Sequence, residues 1–160
     1  MSHLQTLMRY KAWANHQFLE CVSGLPEVEL VAARPIVFGS LIRTLNHVYL
    51  MDLVWQCHLL GISHGLQTRN PEEHPSVAEL SERQREMDGW YSEYADAISG
   101  QEINKPVSFE YVEGGSGAMT RAEILLHVVN HGTYHRGHTA DMLYAIGVSP
   151  PTTDLPVFLA

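Results

Sequence analysis

Cysteine is scarce: Cys21 and Cys57 are the only two in 160 residues, and they stand at no redox or zinc-motif spacing. That excludes a disulfide scaffold and a cysteine-based metal site, and it is what two reduced, buried thiols in a cytoplasmic protein look like. Basic residues are also few. Ten Lys plus Arg against 18 Asp plus Glu give a formal net charge of −8, with no Lys/Arg block to override it. Such a chain repels a phosphate backbone, so nucleic acid is not an expected partner. Long apolar runs are missing too. The most apolar stretch, Leu41 to Leu60, is broken by Arg43, Asn46, His47, Asp52 and His58, and does not read as membrane-spanning. The opening MSHLQTLMRYKAWANHQFLE mixes polar and apolar positions and carries no secretory pattern. Cytoplasmic localisation with no membrane partner is the resulting expectation.

Several catalytic signatures are absent as well. There is no Glu-x-x-His for a di-iron carboxylate bundle and no His-Glu-x-x-His for a zincin. Gly-x-Ser-x-Gly, the P-loop and the dinucleotide fingerprint are missing in the same way.

What is present is an ordinary globular composition, 45% hydrophobic and 18% charged, in a length suited to one domain over residues 1–160. Three capping boxes mark helix starts: Ser2 with Gln5, Ser76 with Glu79, and Thr120 with Glu123. The first helix is expected from Ser2 to Gly24, with Leu4, Leu7, Met8, Phe18, Leu19 and Val22 at helical spacing. A second runs from Ser40 to Leu60 and stops at Gly61, a third from Ser76 to about Gly100, and a fourth from Thr120 to Ile146, stopped by Gly147. Residues 25–38 read as a connection with a short turn of helix. Val107, Phe109 and Tyr111 alternate before three nearby glycines, compatible with a short β-hairpin or with a structured loop. The proline-rich tail after Val148 returns to apolar residues and is expected to pack back. The fold class is all-α, a four-helix bundle, with the possible hairpin between the third and fourth helices.

Histidine is the abundant exception, with ten residues. Four of them, His127, His131, His135 and His138, fall on one stripe of the fourth helix, within about 80° of one another. The i, i+4 pair His131 and His135 has the spacing of helical zinc sites. A third donor is needed, and His47, mid-helix within an apolar face, is the best candidate. Each feature also has a plainer reading: His47 as a hydrogen-bonded core residue, the pair as histidines gathered on a surface helix, His127 and His138 as structural neighbours. His3, His16, His58, His64 and His74 read as surface or loop residues. Asn15, Asp52, His127 and His138 are candidates to orient ligands or line a pocket. Arg136 reads either as an anion binder or as structural, and Trp13 and Trp55 read as core.

Tyr10-Lys11-Ala12-Trp13-Ala14-Asn15, Gly39-Ser40 followed by Thr44-Leu45-Asn46-His47, Asn130-His131-Gly132-Thr133-Tyr134-His135-Arg136-Gly137 and Thr153-Asp154-Leu155-Pro156 occur in this order. Together they resemble the DinB-like proteins, the DinB/YfiT group of metalloenzymes, from about residue 7 to residue 158. The resemblance implies an up-down-down-up four-helix bundle, commonly a homodimer, with a divalent metal held by His47, His131 and His135. Two positions depart from the family: Tyr134, where histidine is frequent, and His138, where glutamine is. Three imidazoles suit Zn or Ni, with Fe, Mn and Cu also compatible, and three protein ligands leave open positions on the ion. By similarity to relatives, the expected chemistry is transfer involving a low-molecular-weight thiol and a small-molecule substrate, in detoxification or stress response. Metal-dependent hydrolysis is the alternative within enzymes. A non-catalytic metal- or ligand-binding module is the alternative outside them, because no general base or nucleophile stands out.

Overall fold

A computed structural model describes residues 1–160. Its elements in chain order are α1 (His3–Ser23), α2 (Glu27–Val31), α3 (Leu41–Leu60), α4 (Val77–Ala97), β1 (Pro106–Glu110), β2 (Ser116–Thr120), α5 (Arg121–Ala145) and α6 (Leu155–Leu159). The chain is therefore mostly helical with one two-stranded antiparallel sheet. No helix is long and apolar enough to cross a membrane.

The helix starts lie where the sequence marks them. Ser2, Ser76 and Thr120 each accept from the backbone N–H three residues on, and Gln5, Glu79 and Glu123 reach back to close all three capping boxes. Ser40 caps α3, and Gly61 ends it. The third long helix stops at Ala97, slightly short of Gly100, and a 3-10 turn at Glu102–Asn104 follows. The expected short turn of helix is α2.

The alternating Val107, Phe109 segment is the hairpin rather than the loop, with Phe109 paired to Gly117 across the ladder. Gly117 is there because the Phe109 ring lies over it: a Cβ would stand 2.7 Å from the ring. The ring is thereby carried down against Trp55, at 4.9 Å between centroids.

The four long helices contact one another in the sequence α1–α4–α3–α5–α1. Two apolar cores form inside them. One gathers Met8, Ala14, Trp55, Tyr91, Ile124 and Val128, and the other Phe18, Val22, Leu41, Leu80 and Leu143. Each fully buried Val, Leu, Ile, Phe or Met among them contributes about 1.5–3 kcal/mol relative to exposure. Along each helix, polar residues occupy the stretch where one core gives way to the other. The C-terminal α6 returns to α1, with Phe158 against Trp13 at 5.5 Å and the Tyr10 hydroxyl donating to the Thr153 carbonyl at 2.7 Å. Trp13 is thus a packing residue.

Cys21 is half-buried, Cys57 is buried, and both are free thiols. Burial raises the pKa of each, which keeps them protonated and unreactive.

A candidate metal centre

The stretch between the two cores has two polar faces, one of charges and one of imidazoles. On the first, the buried Lys11 ammonium donates to Asp52 at 2.6 Å and to Asp88 at 2.5 Å. Gln84 also donates to both carboxylates, and Asn15 donates to Asp88 while accepting from Arg136 at 2.8 Å. Burial alone would lower the Lys11 pKa, but Asp52 and Asp88 outweigh it and raise it. Burial raises the Asp52 pKa, and Lys11 opposes that shift.

Asn15 and Asp52, candidates from the sequence to orient ligands or line a pocket, are therefore not in the wall of the cavity beside the histidines. They belong to an internal network of buried side chains that bond one another. Asp52 is five residues from His47, which turns it about 140° around the helix from that ring. Arg136 is structural: its guanidinium is buried, bonded to Asn15 and Thr133. Gly132 makes room for it, since a Cβ there would lie 3.1 Å from the Arg136 Nη1.

On the second face, α3 contributes His47 and α5 contributes His131 and His135. One ring nitrogen of each lies within 4.8 Å of the others. His47 Nδ1 is 2.9 Å from the Arg69 carbonyl oxygen. A carbonyl can only accept, so Nδ1 carries the hydrogen and Nε2 is left bare. That bare nitrogen faces His131 Nε2 at 3.1 Å. Two ligands of a tetrahedral ion with bonds of about 2.0–2.1 Å stand about 3.3 Å apart, so the three donors fit a divalent cation in type, and the His47–His131 pair fits it in spacing.

The imidazoles are also held neutral, as ligands must be. Burial, then the neighbouring His135 and His47, push the His131 pKa down to about 2. Burial, then His47 and His138, push His135 down to about 4. His47 is lowered chiefly by burial, against the hydrogen bond to Arg69, and His127 is lowered by burial.

Around the three rings, Phe38 stacks on His47 at 3.8 Å and 20°. His138 Nδ1 lies 3.3 Å from His135 Nδ1. The Arg69 carbonyl is itself held in place, because Arg43 one turn before His47 grips Asn70 through its side chain and its carbonyl. The cluster opens into a cavity of about 530 Å³, whose wall includes His127, His138, Trp55, Tyr111 and Tyr134.

The sequence thus places the three histidines on two helices, and the structure brings all three together. His127 and His138 line the cavity beside them. His58, expected at the surface, is half-buried between Trp55 and Phe109, at 5.4 and 5.9 Å. It follows Trp55 by three residues on α3 and so shares its inward face. Trp55 itself is core and cavity wall at once. Phe38 and the Arg69 carbonyl were not foreseeable, since both come from irregular segments with no periodicity to read. Tyr134 carried a weak signal, lying on the histidine stripe next to His135.

The DinB family model matches residues 1–160. The chain is 31% identical over 159 residues to protein DinB of Bacillus subtilis (strain 168), a match covering 96% of this chain and 91% of that protein. It superposes on the crystal structure of a DinB-like protein from Bacillus cereus ATCC 10987 with a TM-score of 0.69 at 16% identity, over 90% of this chain and 91% of the other, which is a likeness of fold. With the family model spanning the whole chain and a relative 31% identical over nearly all of it, the protein belongs to the DinB family.

Proposed function

We propose that this chain is a metal-dependent enzyme of the thiol S-transferase type, with His47, His131 and His135 as the ligands of one divalent ion. Zinc or nickel is the first choice, and iron, manganese and copper follow. The observation that carries the reading is the convergence of three neutral imidazoles within 4.8 Å at the edge of a cavity of about 530 Å³. A cation held there supplies Lewis acidity and favours thiolate over thiol.

The chain's own residues do the rest. The Arg69 carbonyl fixes the His47 tautomer, Phe38 shields one face of that ring from water, and His138 holds the outer nitrogen of His135. The cavity wall is mainly apolar and aromatic, which suits a small organic electrophile beside a low-molecular-weight thiol. The reading includes a single domain folded as an up-down-down-up four-helix bundle, a homodimer, a cytoplasmic setting and a role in stress detoxification.

Elemental analysis of the purified, tag-free protein beside His47→Ala, His131→Ala and His135→Ala tests the site. About one metal per chain in the parent, lost in each variant with helicity retained, is the expected result. Stoichiometric metal in all three variants would sink the assignment. Turnover of electrophiles only when a thiol is present supports transfer, whereas turnover without thiol replaces it with hydrolysis.

A further inference from the structure

The wall of the cavity beside the histidines is electrically lopsided. Among its lining residues Arg69 is the one with a fixed charge, and no carboxylate faces it there. The Arg69 guanidinium instead turns to Glu113 in the hairpin turn, 2.9 Å away, and both side chains are about half exposed, at 51% and 54%. An exposed pair of this kind contributes little net stability, so exchanging one carboxylate partner for another costs little. Glu113 borders a second cavity of about 240 Å³ beneath the hairpin. Arg69, Met51, Trp55 and Tyr111 border both cavities and so form the partition between them. At the mouth of the histidine cavity the rings of Tyr111 and Tyr134 are left 56% and 62% exposed. Large aromatic surface uncovered around a concavity, with a fixed positive charge at one side, is complementary to a flat apolar body bearing one negative group.

We propose that Arg69 is the anion-recognising residue of this cavity, and that the cavity takes an aromatic-bodied carboxylate whose carboxyl group displaces Glu113 from the guanidinium. This rests on the reading of the cavity as the substrate pocket of the metal site. The division of labour within one residue makes it testable. The Arg69 backbone carbonyl serves His47 and survives any substitution of the side chain, whereas the guanidinium alone serves the ligand.

The probes are phenylacetate and its neutral counterpart phenylacetamide. Their binding is measured by calorimetry to the parent protein, Arg69→Gln, Arg69→Lys and Glu113→Gln, each metal-loaded and metal-stripped, with metal content determined for every sample. The parent is expected to prefer the acid over the amide by about tenfold, the scale of one charge-assisted hydrogen-bonded contact. Arg69→Gln should erase that preference while retaining metal, and Arg69→Lys should keep part of it. Glu113→Gln, which removes the competing carboxylate, should tighten the acid severalfold.

Unchanged phenylacetate binding in Arg69→Gln with metal retained overturns the proposal, because the carboxylate would then sit on the cation alone. Equal binding of acid and amide to the parent, or binding of neither, overturns it as well. A parent protein that takes up no metal defeats the metal-site reading instead, and the metal-stripped comparison still decides the role of Arg69.

Discussion

His135 reaches the histidine cluster with its other side tied to His138, whose Nδ1 lies 3.3 Å from its own. Partners of this kind fix which nitrogen of a ligating imidazole is bare and hold the ring at its angle, and their loss commonly weakens metal affinity by about 10- to 100-fold. His138→Ala is therefore expected to bind zinc about 10- to 100-fold more weakly than the parent in a chelator competition, with circular dichroism unchanged. Affinity equal to the parent's would show that the neighbouring Tyr134 and the packing of α5 suffice to orient the ring. Such neighbours were only partly legible in the sequence. His138 lies three residues from His135 on one helix, so spacing announces the contact. Phe38 and the Arg69 carbonyl come from segments far from His47 and outside any long helix, and nothing local encodes their approach.

Helix boundaries are set by a few polar side chains, and two of these titrate. Glu79 and Glu123 close capping boxes by accepting from Ser76 and Thr120. Hydrogen bonds from those cap residues, backbone first, hold both carboxyls below the ordinary 4.5 despite their exposure. The folded pKa is depressed, so the stabilising contribution is present above pH 4.5 and is lost as pH falls through the folded value. Acidification should thus loosen the starts of α4 and α5 before it reaches the cores. Carboxyl-carbon NMR titration is expected to give both values below 4.5, with amide exchange at residues 77–80 and 121–124 accelerating over the same range. Values at or above 4.5 would remove the caps from the stability of these helices. At this scale the sequence was nearly sufficient, because a capping box is a local pattern whose partners are three residues apart. The hairpin was less so: its alternation fits strand or loop, and the choice depended on Phe109 finding Trp55 across the chain.

Across the whole molecule, the charged network ties α1, α3, α4 and α5 together at one level. Lys11 is the cation on which both Asp52 and Asp88 depend, and all three are buried. Lys11→Met removes the ammonium between two buried carboxylates and leaves them only the neutral donors Gln84 and Asn15, the situation in which breaking a buried pair costs about 3–5 kcal/mol. Urea denaturation at neutral pH should show a loss of that order. Burial already raises the Asp52 pKa, so the folded state takes up protons more readily than the unfolded one at this site. Lowering the pH should then narrow the gap between variant and parent. A variant as stable as its parent at neutral pH would mean that this network contributes specificity of packing and no stability.

The sequence by itself determined the long helices, because hydrophobic spacing and capping side chains act within a turn or two of the chain. It also determined the i, i+4 pair of histidines, since helical geometry places such residues on one face whatever surrounds them. Composition, with few basic residues and no apolar run, set the expectation of neither a nucleic-acid nor a membrane partner. Which third histidine joins the pair was decided by tertiary structure, through the packing of α3 against α5. So was the sorting of Asn15, Asp52 and Arg136 into the interior network and of His127, His138 and Tyr134 onto the cavity wall. Those assignments depend on which face of each helix meets which neighbour, a quantity set by side-chain packing across distances in sequence that no local pattern carries.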